Sequence, residues 1–204
     1  MEWSEVLDPS LKPGEVLGQR LKQMHGERRE RISALLKSEV ILCLRLDKEV
    51  HTIAVRGDGY RWEPREMIDF PQATVLTDHD RWRRSLGFVE ELIEPAEERL
   101  DEYRGRWEIT DELLRRFERF DGVLEVEVRG LPDGGAPMAF EVVLNDYQEV
   151  GGSPRAVLKV EWEVLKQVAH GQLNPTEAAR KVEVGGARGL ALELGGFAAT
   201  ELDL

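Results

Sequence analysis

The sequence predicts an α+β protein made of two similar units, residues 1–120 and 121–204, and three observations lead there. The hydrophobic period changes along the chain, from helical spacing over 13–37 to β-branched, alternating runs from Val40 onward. Those runs are short and separated by turn-forming Asp47-Lys48-Glu49 and Gly57-Asp58-Gly59. The order of elements in the first half then recurs in the second.

Taken in order, Asp8-Pro9-Ser10 carries helix-starting chemistry and Pro13 suits a first helical turn. Val16, Leu17, Leu21, Met24, Ile32, Leu35 and Leu36 form an apolar stripe, with Gly26 expected to break or bend it. Val40–Leu46, His51–Arg56 and Tyr60–Glu63 read as an antiparallel meander, and 71–77 as one more strand. Asp78 reads as the N-cap of a helix over Arg81–Leu86, followed by a second helix over 95–103. A brief strand at 107–109 precedes a helix capped by Asp111, with Leu113, Leu114, Phe117 and Phe120 on one face.

The second half opens on a clean alternation. Leu124, Val126 and Val128 fall on one face and Glu125, Glu127 and Arg129 on the other, as a half-buried strand requires. Asp133-Gly134-Gly135 turns the chain, Met138–Leu144 returns, 147–150 reads as a short strand and 154–160 as the next. A helix over Glu161–His170 leads into Gly171-Gln172-Leu173-Asn174-Pro175. A strand at Lys181–Val184, a Gly185-Gly186 turn and a short helix over Ala187–Leu194 complete the unit. Placing 71–75 over 154–158 sets Asp78 on Glu161 and Trp82 on Leu165. Further on, Pro95 falls on Pro175 and Ile109 on Val184, with offsets that drift as loop insertions allow.

At these residues the chain resembles the sterol carrier protein type 2 (SCP-like) lipid-binding family. Gly171, Leu173, Asn174, Pro175, Ala178, Val182, Val184, Gly186 and Leu190 fit its pattern. The first unit is similar at Ala73, Val75, Asp78, Trp82, Leu86, Pro95 and Ile109 but lacks the Gly-x-Leu-Asn-Pro run. Ala179-Arg180 stands where the family usually has bulky apolar residues and a glycine. The resemblance implies, in each unit, a mostly antiparallel sheet with helices covering one face. Between them it implies an apolar cavity for sterols, fatty acyl chains or related lipids, without catalysis, cofactor or metal.

The residues expected to line that cavity are Phe140, Val142, Leu158, Val160, Trp162, Leu165, Val168, Leu173, Ala178, Val182, Leu190 and Leu194. About ten buried methylenes supply roughly 8 kcal/mol, enough for micromolar affinity if binding costs are small. The same residues also suit a closed core. The alternatives are therefore a scaffold or protein-interaction module, or an accessory subunit presenting a hydrophobic intermediate to a lipid- or quinone-modifying enzyme.

Other patterns have plainer readings. Gly185-Gly186-Ala187-Arg188-Gly189 lacks the spacing and the Lys-Ser/Thr of a phosphate loop. In Arg81-Trp82-Arg83-Arg84 the indole is expected in the core and the arginines against Glu90, Glu91 and Glu94. His25, His51, His79 and His170 are scattered, Asp78-His79-Asp80 reads as a helix start, and Cys43 as a buried thiol. No Gly-x-Ser-x-Gly elbow occurs, so no enzyme is expected.

Composition narrows the partners. The net charge is −12, divided as −5 over residues 1–120 and −7 over 121–204, so neither half carries the basic footprint of a nucleic-acid binder. No apolar run approaches the ~20 residues that span a bilayer, and the acidic start is unlike a signal peptide. With one cysteine, the chain is expected in the cytoplasm. The expected partners are an apolar small molecule or lipid, with a protein partner or homodimer left open.

Overall fold

In the computed structural model, which describes residues 1–65, 71–100, 108–145 and 153–201, one mixed sheet of eight strands runs through the protein. The strands are β1 (Val40–Leu46), β2 (Glu49–Arg56), β3 (Gly59–Glu63), β4 (Ala73–Thr77), β5 (Gly122–Arg129), β6 (Met138–Leu144), β7 (Arg155–Glu161) and β8 (Glu183–Gly186). Their order across the sheet is β3-β2-β1-β4-β6-β5-β7-β8. Only β1–β4 and β5–β7 pair in parallel; the other ladders are antiparallel. The fold is α+β.

The strand pattern of the first half recurs in the second. β1 pairs antiparallel with β2 and parallel with β4, and β5 pairs antiparallel with β6 and parallel with β7. The registers agree as well: Leu42 faces Ala73, and Leu124 faces Ala156. The halves join where β4 pairs with β6, Ala73 opposite Leu144. That ladder explains where the expected repeat departs. Val184 lies in β8 on the free edge of β7, but the corresponding edge of β4 is occupied by β6. Ile109 instead makes a parallel bridge to Leu36. The expected strand at 147–150, and residue 107, lie outside the described residues.

Among the described residues the helices are α1 (Trp3–Val6), α2 (Pro13–Glu15), α3 (Leu21–Glu27), α4 (Arg29–Leu35), α5 (His79–Leu86), α6 (Glu90–Glu98), α7 (Asp111–Phe117), α8 (Trp162–Ala169), α9 (Pro175–Ala179) and α10 (Arg188–Glu201). A π-helical turn over Val16–Arg20 joins α2 to α3. Gly18 sits there because the Trp62 ring packs against it; a Cβ would come within 2.6 Å of the indole. The helical run breaks at Arg28, not at Gly26, which lies inside α3. Asp78 is an N-cap, its Oδ1 accepting from the Arg81 N–H at 2.7 Å, so α5 begins at His79. The cap of α7 is Thr110, whose Oγ1 accepts from Leu113; Asp111 is the first helical residue and favours the N-terminal dipole. The helix expected over 95–103 starts earlier, at Glu90, and carries Pro95 within it; residues 101–103 lie outside the described residues.

Strand alternation sends one face of the sheet to the helices. Leu44, Leu46, Ile53 and Val75 meet Val6, Val16, Leu17, Met24 and Leu86 in one cluster. Val126, Val128, Phe140 and Val160 meet Trp162, Val164 and Ala178 in a second. Leu124, Val142, Leu144 and Ala156 meet Phe120, Leu190 and Phe197 in a third. On the other face of β5–β8 lie charged neighbours: Arg155 Nη1 donates to Glu141 at 2.7 Å, and Arg129 Nε donates to Glu127 at 2.6 Å. These pairs offset the direct cross-strand apposition of Glu125 and Glu141.

Candidate functional site

Two apolar spaces lie between the sheet and the helices, one in each half. The C-terminal cavity has a volume of about 500 Å³, within the ~300–1,000 Å³ usual for small-molecule pockets. Its floor is Leu124 of β5, Leu158 of β7 and Val184 of β8. Thr176 and Ala179 of α9, with Val182, close one side. The roof is α10, through Ala191, Leu192, Leu194, Gly195, Gly196, Ala198 and Ala199.

Local sequence explains why this space is open. Asn174 caps α9, its Oδ1 accepting from the Glu177 N–H at 2.8 Å, and Pro175 takes the first helical position. Gly186 has φ +63° and a Cβ there would strike the Arg155 carbonyl, so β8 can end in a sharp turn and deliver α10 back across the sheet. Along α10 the facing residues are small. Gly195 and Gly196 are exposed, and a Cβ built on either meets no atom within 4 Å. The lining carries no charge, and Thr176 supplies its one side-chain hydroxyl among the described residues. Leu192 is 73% exposed at this cavity, unusual for a large apolar side chain.

Of the twelve residues expected to line a cavity, Leu158, Val182 and Leu194 do. Phe140, Val160, Trp162, Leu165, Val168, Leu173 and Ala178 pack in the cluster around Val128, and Val142 and Leu190 in the one around Phe120. Leu124, Val184 and Ala179, named in the sequence for other reasons, were not expected to line it, nor were the α10 residues beyond Leu194. Helix propensity is the reason: Gly195-Gly196 signals a helix end, yet α10 runs on to Glu201.

The N-terminal groove, of about 640 Å³, was not anticipated. Leu42 of β1, Ile53 and Val55 of β2 and Tyr60 of β3 form its floor, and α3, α4 and α6 its walls. Leu42 is 41% exposed although its neighbours on the strand, Ile41 and Cys43, are buried. Polar groups within are internally satisfied: Tyr60 Oη donates to the Leu17 carbonyl at 2.6 Å, and His25 Nε2 bonds the Arg56 carbonyl at 2.9 Å. Burial raises the Tyr60 phenol well above its ordinary pKa. At the mouth, the Glu97 carboxylate accepts from Trp3 Nε1 at 2.6 Å and from Arg28 Nε, and Arg31 Nη1 stands 3.8 Å away. Arg28 also lies over the Trp3 ring, 5.5 Å from its centroid.

The other sequence candidates resolve simply. Trp82 packs against the N-terminal core, but Arg81 pairs with Asp78 and Arg84 with Asp133, not with Glu90, Glu91 or Glu94. Their own helix turns Arg84 toward the 133–136 turn, where Nη1 also reaches the Ala136 carbonyl at 2.7 Å; Glu91 pairs with Lys166. Cys43 is buried. Among the described residues no three His, Cys, Asp or Glu side chains converge as a metal site, and no helix is long and apolar enough to cross a membrane. Comparison with known protein families and with curated proteins finds no match to this chain.

Proposed function

We propose that this protein binds an apolar ligand, of the acyl-chain or sterol-like class, in the C-terminal cavity and carries it without turnover. The observation that supports this most is the cavity itself: about 500 Å³ bounded by aliphatic and small residues, Gly195 and Gly196 among them. A chain burying about ten methylenes there gains roughly 8 kcal/mol before association costs, so no polar anchor is required. The recurrence of β2-β1-β4 as β6-β5-β7 supports reading the chain as two copies of an SCP-like unit. A protein-interaction role is the second reading, favoured by Leu192, which offers a partner an exposed apolar contact.

The test is a titration with dodecanol, a neutral single-chain probe, followed by methyl NMR. Saturable shifts at Leu158, Val182, Val184 and Leu194, abolished in Gly195→Phe, are expected. Unchanged methyl spectra at those four residues would overturn the ligand reading and favour the interaction module.

A further inference from the structure

We propose that residues 187–194, leading into and forming the first half of α10, are a hinged lid that opens to admit and release ligand at the C-terminal cavity. The proposal rests on the reading of that cavity as a ligand site. Three observations carry it.

First, a glycine pair stands at each end of the segment. Gly185-Gly186 closes β8 on one side, and Gly195-Gly196 follows Leu194 on the other. Gly186 holds a left-handed φ of +63°, and the Ala187 N–H just beyond it donates to the Arg155 carbonyl at 2.8 Å. At the far end both glycines lie inside the helix, exposed, and a Cβ on either would meet nothing within 4 Å. No packing demand accounts for glycine there, and each weakens the helix locally. Second, the two halves of α10 are held unequally. Phe197 packs edge-on against Phe120, ring centroids 5.2 Å apart, and Arg119 lies over both rings. Glu201 pairs with Arg116. By contrast, no hydrogen bond or ion pair ties the side chain of Arg188 or Glu193 to another described residue. The side-chain anchors of this half are apolar: Leu190, which is buried, with Ala191 and Leu194. Third, the segment covers the cavity. Ala191, Leu192 and Leu194 line it from above, and lifting them leaves Leu124, Leu158 and Val184 in place as the floor. Leu192 is already mostly exposed, so opening gives up little apolar burial at that residue. Local openings fall far below global unfolding in free energy where buried apolar contacts are few.

The experiment is amide hydrogen exchange by NMR on the full ligand-free chain and on the double variant Gly195→Ala with Gly196→Ala, followed by the kinetics of dodecanol binding to each. In the wild type, the amides of Leu192, Glu193 and Leu194 should exchange about tenfold or more faster than those of Lys166–Ala169 in α8. The double variant should slow the three lid amides by about fourfold to fivefold for each glycine replaced, roughly 20-fold together. Dodecanol uptake and release should both slow by a similar factor, with Kd unchanged, because the lid closes over the free and the loaded cavity alike. Lid amides as slow as those of α8 in the wild type would overturn the proposal, as would dodecanol rates indifferent to the double variant. Absence of dodecanol binding would instead overturn the ligand reading of the cavity, and the amide comparison alone then decides whether the segment opens.

Discussion

Gly195 and Gly196 allow the sharpest test of whether the C-terminal cavity is empty. Glycine inside a helix is less stable than alanine by about 0.8–1.0 kcal/mol, because its backbone loses more freedom on folding. Here nothing opposes that gain, since a Cβ at either position meets no atom within 4 Å. Gly195→Ala and Gly196→Ala should therefore each stabilise the fold by about 1 kcal/mol, raising Tm by roughly 2–4 °C for a chain of this size. Gly195 lines the ~500 Å³ space, so Gly195→Phe should obstruct it, abolish dodecanol binding and cost little stability, because a Cβ there displaces no packed atom. Thermal unfolding by circular dichroism, paired with dodecanol titration, reads all three variants. A fall in Tm for either alanine variant, or a loss of about 1–3 kcal/mol in Gly195→Phe, is the signature of overpacking and would refute an empty cavity.

Further outcomes follow from the same contacts. Ala178→Trp should destabilise by about 1–3 kcal/mol on chemical denaturation without removing ligand, since Ala178 lies in the packed core and does not line the cavity. Gly122→Ala should destabilise more than an ordinary surface substitution. Its φ is +149° and a Cβ would come within 2.6 Å of both the Pro154 carbonyl and a Leu190 methyl; the denaturation midpoint reads the loss. Hydrogen bonds from Arg84 hold the Asp133 carboxyl down at about 2. Its folded pKa lies below the unfolded value of about 3.9, so its contribution to stability is full above that value and disappears as pH falls toward 2. A carboxyl NMR titration should show the Asp133 midpoint moving up toward ~3.9 in Arg84→Gln.

The strands were legible because their side chains obey the pleat. Leu124, Val126 and Val128 alternate with Glu125, Glu127 and Arg129, and that alternation is what the buried and charged faces of β5 require. Caps with a short polar side chain before an apolar run, as at Asp78, were equally plain. The cavity was not, for a physical reason. Space is created by residues that fail to fill it, and Ala191, Gly195, Gly196, Ala198 and Ala199 carry almost no signal in a hydrophobic pattern. Trp162 and Leu165 look the same in sequence whether they line a void or close a core, and here they close one. The groove over Leu42, Ile53 and Val55 was hidden likewise, because three strand residues with a buried-face period predict burial and not the absence of what would bury them.

The most direct measurement of the central claim is native mass spectrometry of freshly purified protein, with solvent extraction and lipid analysis of whatever is released. The account predicts chains carrying one apolar molecule, lost in Gly195→Phe. A bare mass that stays bare after incubation with dodecanoate, an acyl-CoA and a sterol would contradict it.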